Sequence, residues 1–348
     1  TIKFYIRIMV SKDTIRGVLH MYITELETPA VLLDLDIAEK NLQTYQQACD
    51  KYKKSLWPMV KTHKSSSLLK KQMELGAEGF LCGTIDECEM AVEAGAGKIM
   101  YAYPPANPKN ISRLAVLAHK ADIIIRIDHL DVARMLETAA EKEGITFFYS
   151  IIVDMDFHRF GVAPAKVVAF AQEMKQFSHL KFFGISTHPG QVYGCTTQAE
   201  RQSVAKLETE TMGSVAADLK AAGFTDFFVT SGSTPTFALT VDQPEIQIYH
   251  PGNYIYHDAI QIALGSATEA DCSLSVLATI ISHPSEDVYL CDAGAKCLGL
   301  DQGAHGSAAV TGFGIVKNHP ELTVYGLSEE VGKIKVNGTT SLKIGDKI

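Results

Sequence analysis

The feature that most constrains this chain is a rhythm. Short β-rich runs recur at 31–35, 57–61, 79–82, 98–102, 122–127, 147–153, 181–187 and 226–230, and each is separated from the next by a helix-forming segment. Those segments are 37–53, 64–75, 85–94, 108–119, 130–143, 164–177 and 198–222, and four of them end at a glycine in the C′ position, Gly76, Gly95, Gly144 and Gly223. Eight parallel-type strands alternating with helices over about 230 residues fit a (β/α)8 TIM barrel, whose usual size is roughly 250 residues. A doubly wound sheet is the alternative. Beyond residue 262 the texture changes to alternating segments at 274–281, 288–291, 322–325, 333–336 and 341–344, with turn residues at Asn337-Gly338 and Gly345-Asp346, which reads as a C-terminal antiparallel β domain. The expected organisation is α/β: residues 1–27 an N-terminal extension and a strand joining the β domain, 28–261 the barrel, and 262–348 a β domain expected to continue past Ile348. Residues 1–20 lack a clean apolar stretch followed by a small-residue cleavage site, so they are expected to be a dispensable extension rather than a secretory signal.

Charge narrows the partners. With 32 Lys plus Arg against 40 Asp plus Glu, the formal charge of −8 leaves no electrostatic footprint for nucleic acid or an anionic membrane. No apolar stretch approaches the roughly 18 residues a membrane span needs. The seven cysteines are odd in number and scattered, without Cys-x-x-Cys spacing, which fits reduced thiols in a cytoplasm. A small-molecule substrate is the expected partner.

In a barrel, function gathers at the C-terminal ends of the strands. The run at 57–61 ends in Lys61, and a lysine closing an apolar strand is either paired in a salt bridge or desolvated, in which case it becomes an amine able to form Schiff bases with carbonyls. The run at 226–230 leads into Ser231-Gly232-Ser233-Thr234, ordinary turn composition that can also bring backbone N–H groups and hydroxyls onto one phosphate. A lysine and a phosphate cup on one rim are what pyridoxal 5′-phosphate requires.

Several segments carry a resemblance. Glu27-Thr28-Pro29-Ala30-Val31, Val60-Lys61-Thr62-His63-Lys64, Thr187-His188-Pro189-Gly190 with Tyr193, Gly232-Ser233-Thr234-Pro235-Thr236, Pro251-Gly252-Asn253-Tyr254 and Asp292-Ala293-Gly294-Ala295-Lys296 together resemble the D-threonine aldolase and D-serine dehydratase family, fold-type III pyridoxal-phosphate enzymes that share the alanine racemase barrel. The resemblance covers about residues 22–348. It implies a lyase acting on β-hydroxy D-amino acids, and a head-to-tail homodimer with each active site near the partner's β domain. It makes Lys61 the Schiff-base lysine and points Arg159 at the cofactor's phenolic oxygen. His188 and Tyr193 would line the ring and the substrate side. Ser231, Gly232, Ser233, Thr234, Gly252, Asn253 and Tyr254 would hold the phosphate, and Asp301 would reach in from the β domain as a catalytic group. Where the family carries Arg-Pro-His ahead of its lysine, this chain has Trp57-Pro58-Met59. The family's zinc or manganese ligands, a His and a Cys or Asp two residues apart, follow a segment like 343–347, so a metal is expected only if ligands lie beyond Ile348, and no metal ligand is assigned within the sequence. An amino-acid racemase using the same lysine is the alternative activity, favoured by a tyrosine from the β domain. A non-catalytic pyridoxal-phosphate carrier is disfavoured by the β domain itself.

Overall fold

A computed structural model describes residues 22–305 and 310–348, so the expectation for residues 1–20 lies outside the described residues. The chain divides into two compact units. The larger is formed by Leu35–Cys272 with Ala304 and His305, and the smaller by residues 22–34, Ser273–Gly303 and Val310–Ile348.

The first predicted strand does not belong to the barrel. It forms β1 (Ala30–Leu33), which pairs antiparallel with β10 (Leu274–Leu277) in the smaller unit. Its Val31 is 63% exposed, whereas Ile99, Ile124 and Val229 inside the barrel strands are 0%, 1% and 2% exposed. The barrel instead consists of β2 (Ser55–Leu56), β3 (Phe80–Cys82), β4 (Lys98–Tyr101), β5 (Asp122–Ile127), β6 (Phe147–Ile152), β7 (Leu180–Ser186), β8 (Phe228–Ser231) and β9 (Ile248–Tyr249). These lie parallel in the order β2-β9-β8-β7-β6-β5-β4-β3. A parallel bridge from Met59 to Leu81, with the Leu81 N–H donating to the Pro58 carbonyl at 3.0 Å, joins β3 back to the chain leaving β2 and closes the ring. The eighth strand was thus β9, two residues between a Pro-containing turn and His250, too short to register as a β-rich run.

The helices follow the expected order: α1 (Leu35–Lys51), α2 (Ser66–Leu75), α3 (Ile85–Glu93), α4 (Pro108–Leu117), α5 (Leu130–Glu143), α6 (Val167–Met174) and α7 (Gln198–Ala221). Their starts are written in the sequence. Ser65, Thr84 and Asn107 each cap with a side-chain oxygen, and Thr197 forms a capping box with Glu200. Gly76, Gly95, Gly144 and Gly223 follow four helices with positive φ, as C′ residues should. Between the strands the interior is filled by Trp57, Met59, Leu81, Met100, Ala102, Ile124 and Ile248, which leaves the mouth at the C-terminal strand ends as the place for polar groups.

In the smaller unit β11 (Ile280–Ser285), β12 (Val288–Cys291), β13 (Leu322–Leu327) and β14 (Gly332–Val336) form an antiparallel sheet in the order β11-β12-β14-β13. Its core contains Ile280, Tyr289, Cys291, Leu322, Val324, Ile334 and Val336. The predicted strand at 341–344 does not form. There the chain turns tightly, with the Asp346 N–H donating to the Lys343 carbonyl and the Lys343 N–H to the Asp346 carboxylate, and Ile344 stays 63% exposed.

Candidate active site

Lys61 does not end a strand. Strand-like hydrogen bonding stops at Met59, whose N–H donates to the Pro251 carbonyl, and Val60–Thr62 then form a single 3-10 turn. Val60 is fully buried and anchors that turn, leaving Lys61 exposed on it. Behind the turn, a Cβ on Gly252 would come within 2.9 Å of the Thr62 hydroxyl and 3.2 Å of Met59 Cβ, so the loop after β9 packs directly on the turn that carries Lys61.

The loop after β7 brings in His188. Its Nδ1 lies 2.9 Å from the Gly232 carbonyl, and since a carbonyl only accepts, Nδ1 carries the proton and Nε2 is bare. Burial, reinforced by the positive charges of Arg159, His305 and Lys61, pulls the imidazole down to about 3, so it is neutral at neutral pH. His188 Nε2 faces His305 Nε2 at 3.5 Å, and His305 is held down to about 4 by burial and by the charges of Arg159 and Lys61. Phe157 lies edge-on to both rings, and the Arg159 guanidinium sits 4.7 Å over the Phe157 ring. Tyr193 adds a wall, its ring 5.3 Å from His305 and its hydroxyl pushed up to about 12 by burial.

Under the counting that the structure establishes, Ser231–Thr234 follow the seventh barrel strand and Gly252–Tyr254 the eighth, the two positions where barrels commonly hold phosphate. Gly232 admits no side chain, because a Cβ there would lie 2.5 Å from the His250 N. The Ser233 hydroxyl pairs with Thr236 at 3.0 Å, and the buried Thr234 hydroxyl has no partner. Ser231 turns the other way and donates to Glu208 at 2.5 Å. Asn253 is engaged by the Asp258 carboxylate at 2.6 Å, and Tyr254 belongs to the core, with its hydroxyl on Gln72 and its ring against Tyr45. Asp301 lies on an exposed loop of the smaller unit. The larger unit therefore gathers Lys61, Arg159, His188, Tyr193 and the Gly232–Thr234 turn, and leaves Tyr254 in the packing behind them.

Arg126 and Glu208 escaped the sequence reading, and His305 entered it only as a β-domain histidine without metal-ligand spacing. Arg126 on β5 is buried and lines the mouth pocket with Arg159 and His188, yet among the described residues it has no carboxylate partner, only a hydrogen bond from Nε to the Ser186 hydroxyl at 2.9 Å. Burial, with the nearby Arg159 charge, lowers it to about 10. The available signal was a charged residue inside an otherwise apolar strand. Glu208 on α7 is fully buried beneath Ser231, and His305 comes from a loop far along the chain. Among the described residues no group of three or more His, Cys, Asp or Glu side chains is placed to hold a metal ion.

These features fit pyridoxal phosphate. An exposed lysine is near enough for its charge to lower a neutral imidazole, a turn without room for a Cβ ends in an unpartnered buried hydroxyl, and Arg126 and Arg159 offer cations that no carboxylate of the described residues neutralises. Comparison with known families matches residues 33–259 to the alanine racemase N-terminal domain and residues 273–348 to the putative serine dehydratase domain. The chain is 29% identical over 295 residues to a D-threo-3-hydroxyaspartate dehydratase of Delftia sp. (strain HT23), covering 84% of this chain and 77% of that relative. It is 27% identical over 317 residues to a D-threonine aldolase of Arthrobacter sp, covering 90% and 81%. The crystal structure of a D-threonine aldolase from Filomicrobium marinum superposes with a TM-score of 0.85 at 25% identity, covering 93% of this chain and 87% of that one.

Proposed function

The chain belongs to the alanine racemase N-terminal domain family, and from that premise we propose that it is a pyridoxal-phosphate-dependent lyase of β-hydroxy D-amino acids, working by retro-aldol cleavage or by β-elimination. Pyridoxal phosphate, when bound, withdraws electrons from the α-carbon of an amino acid condensed on its aldehyde. Lys61 holds the cofactor through Nζ. The Gly232–Thr234 turn and the Gly252 loop hold the phosphate, and Arg126 and Arg159 take the remaining anionic oxygens.

The observation that carries the lyase chemistry is the bare Nε2 of His188, fixed by its Nδ1–H bond to Gly232 and facing His305 at 3.5 Å. A neutral imidazole there takes a proton from the substrate's β-hydroxyl, which is what Cα–Cβ cleavage needs. Elimination needs the α-proton removed, which Lys61 Nζ takes, and a proton for the departing hydroxide, which the Lys61 ammonium so formed then gives, releasing water. His188→Asn, which keeps a donor for the Gly232 carbonyl and removes the bare nitrogen, tests this. We expect retained cofactor binding with a fall in kcat of about 100-fold or more. Turnover within a few-fold of wild type would remove His188 from the chemistry.

The protein is further proposed to be a cytoplasmic homodimer. All seven cysteines are free, and among the described residues no helix is long and apolar enough to cross a membrane. Light scattering checks the oligomer; a monomer at micromolar concentration would refute it.

A further inference from the structure

A second cavity, of ≈230 Å³, opens beside the start of α7, lined by Cys195–Gln198, Arg201 and Ala263–Gly265. It shares no lining residue with the mouth pocket. Its volume is many times the roughly 15 Å³ that a single water needs.

Arg201 is the telling residue. It is 8% exposed, its Nη1 donates to the Leu264 carbonyl, and its buried Nε has no partner. Among the described residues it makes no ion pair and no second hydrogen bond. A guanidinium taken out of water without a counter-charge is costly, and what relieves the cost is an anion.

The same cavity is bounded by the N-terminus of a 24-residue helix. Thr197 caps the Glu200 N–H at 3.2 Å, and the Glu200 carboxylate turns outward to hold the N–H groups of Thr196 and Thr197. The N–H groups of Gln198 and Ala199, the first two of the helix, are left without an acceptor among the described residues. Glu200 is the carboxylate that opposes an anion here, and it is already spent on those two amides. The cavity thus combines an uncompensated buried guanidinium, free amides and the positive end of a long helix.

We infer that this cavity is a second oxyanion site, separate from the cofactor's, which takes inorganic phosphate or the carboxylate of a small acid between Arg201 and the first turn of α7. The bound anion would tie two segments together. Cys195 follows Tyr193, a wall residue of the active site, by two residues, and Ala263 closes the short helix Ala259–Ala263. Occupancy therefore reports to the wall of the active site.

The test titrates the protein, saturated with pyridoxal phosphate so that the cofactor's own phosphate site is filled, with inorganic phosphate at constant ionic strength. Thermal midpoint and hydrogen exchange of peptides spanning 193–201 and 259–266 are followed. We expect a saturable rise in midpoint and protection of both peptides together. Thr197→Asp preserves an N-cap of at least equal quality while placing a carboxylate at the cavity edge, and it should raise the half-saturating phosphate concentration about tenfold or more. Arg201→Met should do the same, and Thr197→Asp carries the test alone if that variant fails to fold. Acetate that competes with phosphate assigns the site to carboxylates as well; acetate that does not compete restricts it to phosphate. A non-saturating response of the wild type, or half-saturation unchanged in the variants, overturns the inference. A response that survives both variants in a protein that takes up no pyridoxal phosphate locates phosphate in the Gly232 turn instead.

Discussion

Glu208→Gln should change how stability depends on pH. Glu208 is fully buried on α7, its Oε1 accepts from the Ser231 hydroxyl at 2.5 Å, and its Oε2 has no partner. Burial raises its carboxyl from 4.5 to about 7 against the smaller pull of its hydroxyl neighbours. The folded protein therefore keeps a proton that the unfolded chain releases. The stability this confers is complete below pH 4.5, declines as pH rises, and is fully lost above about 7, a change worth about 3 kcal/mol. Glutamine cannot ionise. It keeps an acceptor for Ser231 but sets an amide where Oε2 lacks a partner, a cost of about 1–3 kcal/mol at every pH. Urea unfolding of the cofactor-free proteins at pH 5 and pH 8 should therefore show the wild type losing about 2–3 kcal/mol relative to the variant. Parallel stabilities at the two pH values would mean that Glu208 is ionised in the folded state, and the account of a neutral acid beneath Ser231 would fail.

Borohydride reduction should fix a pyridoxyl group on Lys61, and Lys61→Ala should abolish the adduct; a peptide map placing it on Lys64, paired with Glu87, or on Lys296, paired with Glu329 and Glu330, would refute the assignment. Gly232→Ala brings a methyl to 2.5 Å from the His250 N, so it should cost about 1–3 kcal/mol of overpacking and weaken cofactor binding about tenfold or more, read by absorbance titration. Arg126→Met removes a buried cation that has no carboxylate partner among the described residues, so cofactor-free stability should be unchanged or higher by about 1–4 kcal/mol while cofactor or substrate affinity falls. A destabilised Arg126→Met with unchanged affinities would make this arginine structural.

The barrel was legible because its buried strands are long enough to show as runs. Ile123–Ile125 and Phe147–Ile152 announce themselves, whereas Ile248–Tyr249, flanked by Gln247 and His250, carries too few residues to do so. Ala30–Leu33 misled for the opposite reason: its composition is that of a strand, but composition does not say which sheet a strand joins. Among the site residues, Lys61 was legible as a charged group closing an apolar run, and His188 through the family-like motif Thr187-His188-Pro189-Gly190. Arg126 stood in the sequence as an interruption of an apolar run, and only the fold shows that it points at the mouth pocket without a counter-charge. The pairing of His305 with His188, 117 residues apart, had no local signature at all. Tyr254 lay in a motif shared with the family, but its burial against Tyr45 and Gln72 makes it a support for the loop rather than a surface that a ligand meets.

The central claim is a bond broken at the β-carbon of a D-amino acid, and product analysis tests it most directly. The protein with pyridoxal phosphate is incubated with D-threonine, D-serine and D-threo-3-hydroxyaspartate, each with its L-enantiomer as control, with and without added zinc or manganese. The account predicts glycine with an aldehyde, or a keto acid with ammonia, from a D-substrate and not from its enantiomer. Accumulation of the opposite enantiomer, with neither cleavage nor elimination under any of these conditions, would contradict it and assign the barrel to an amino-acid racemase.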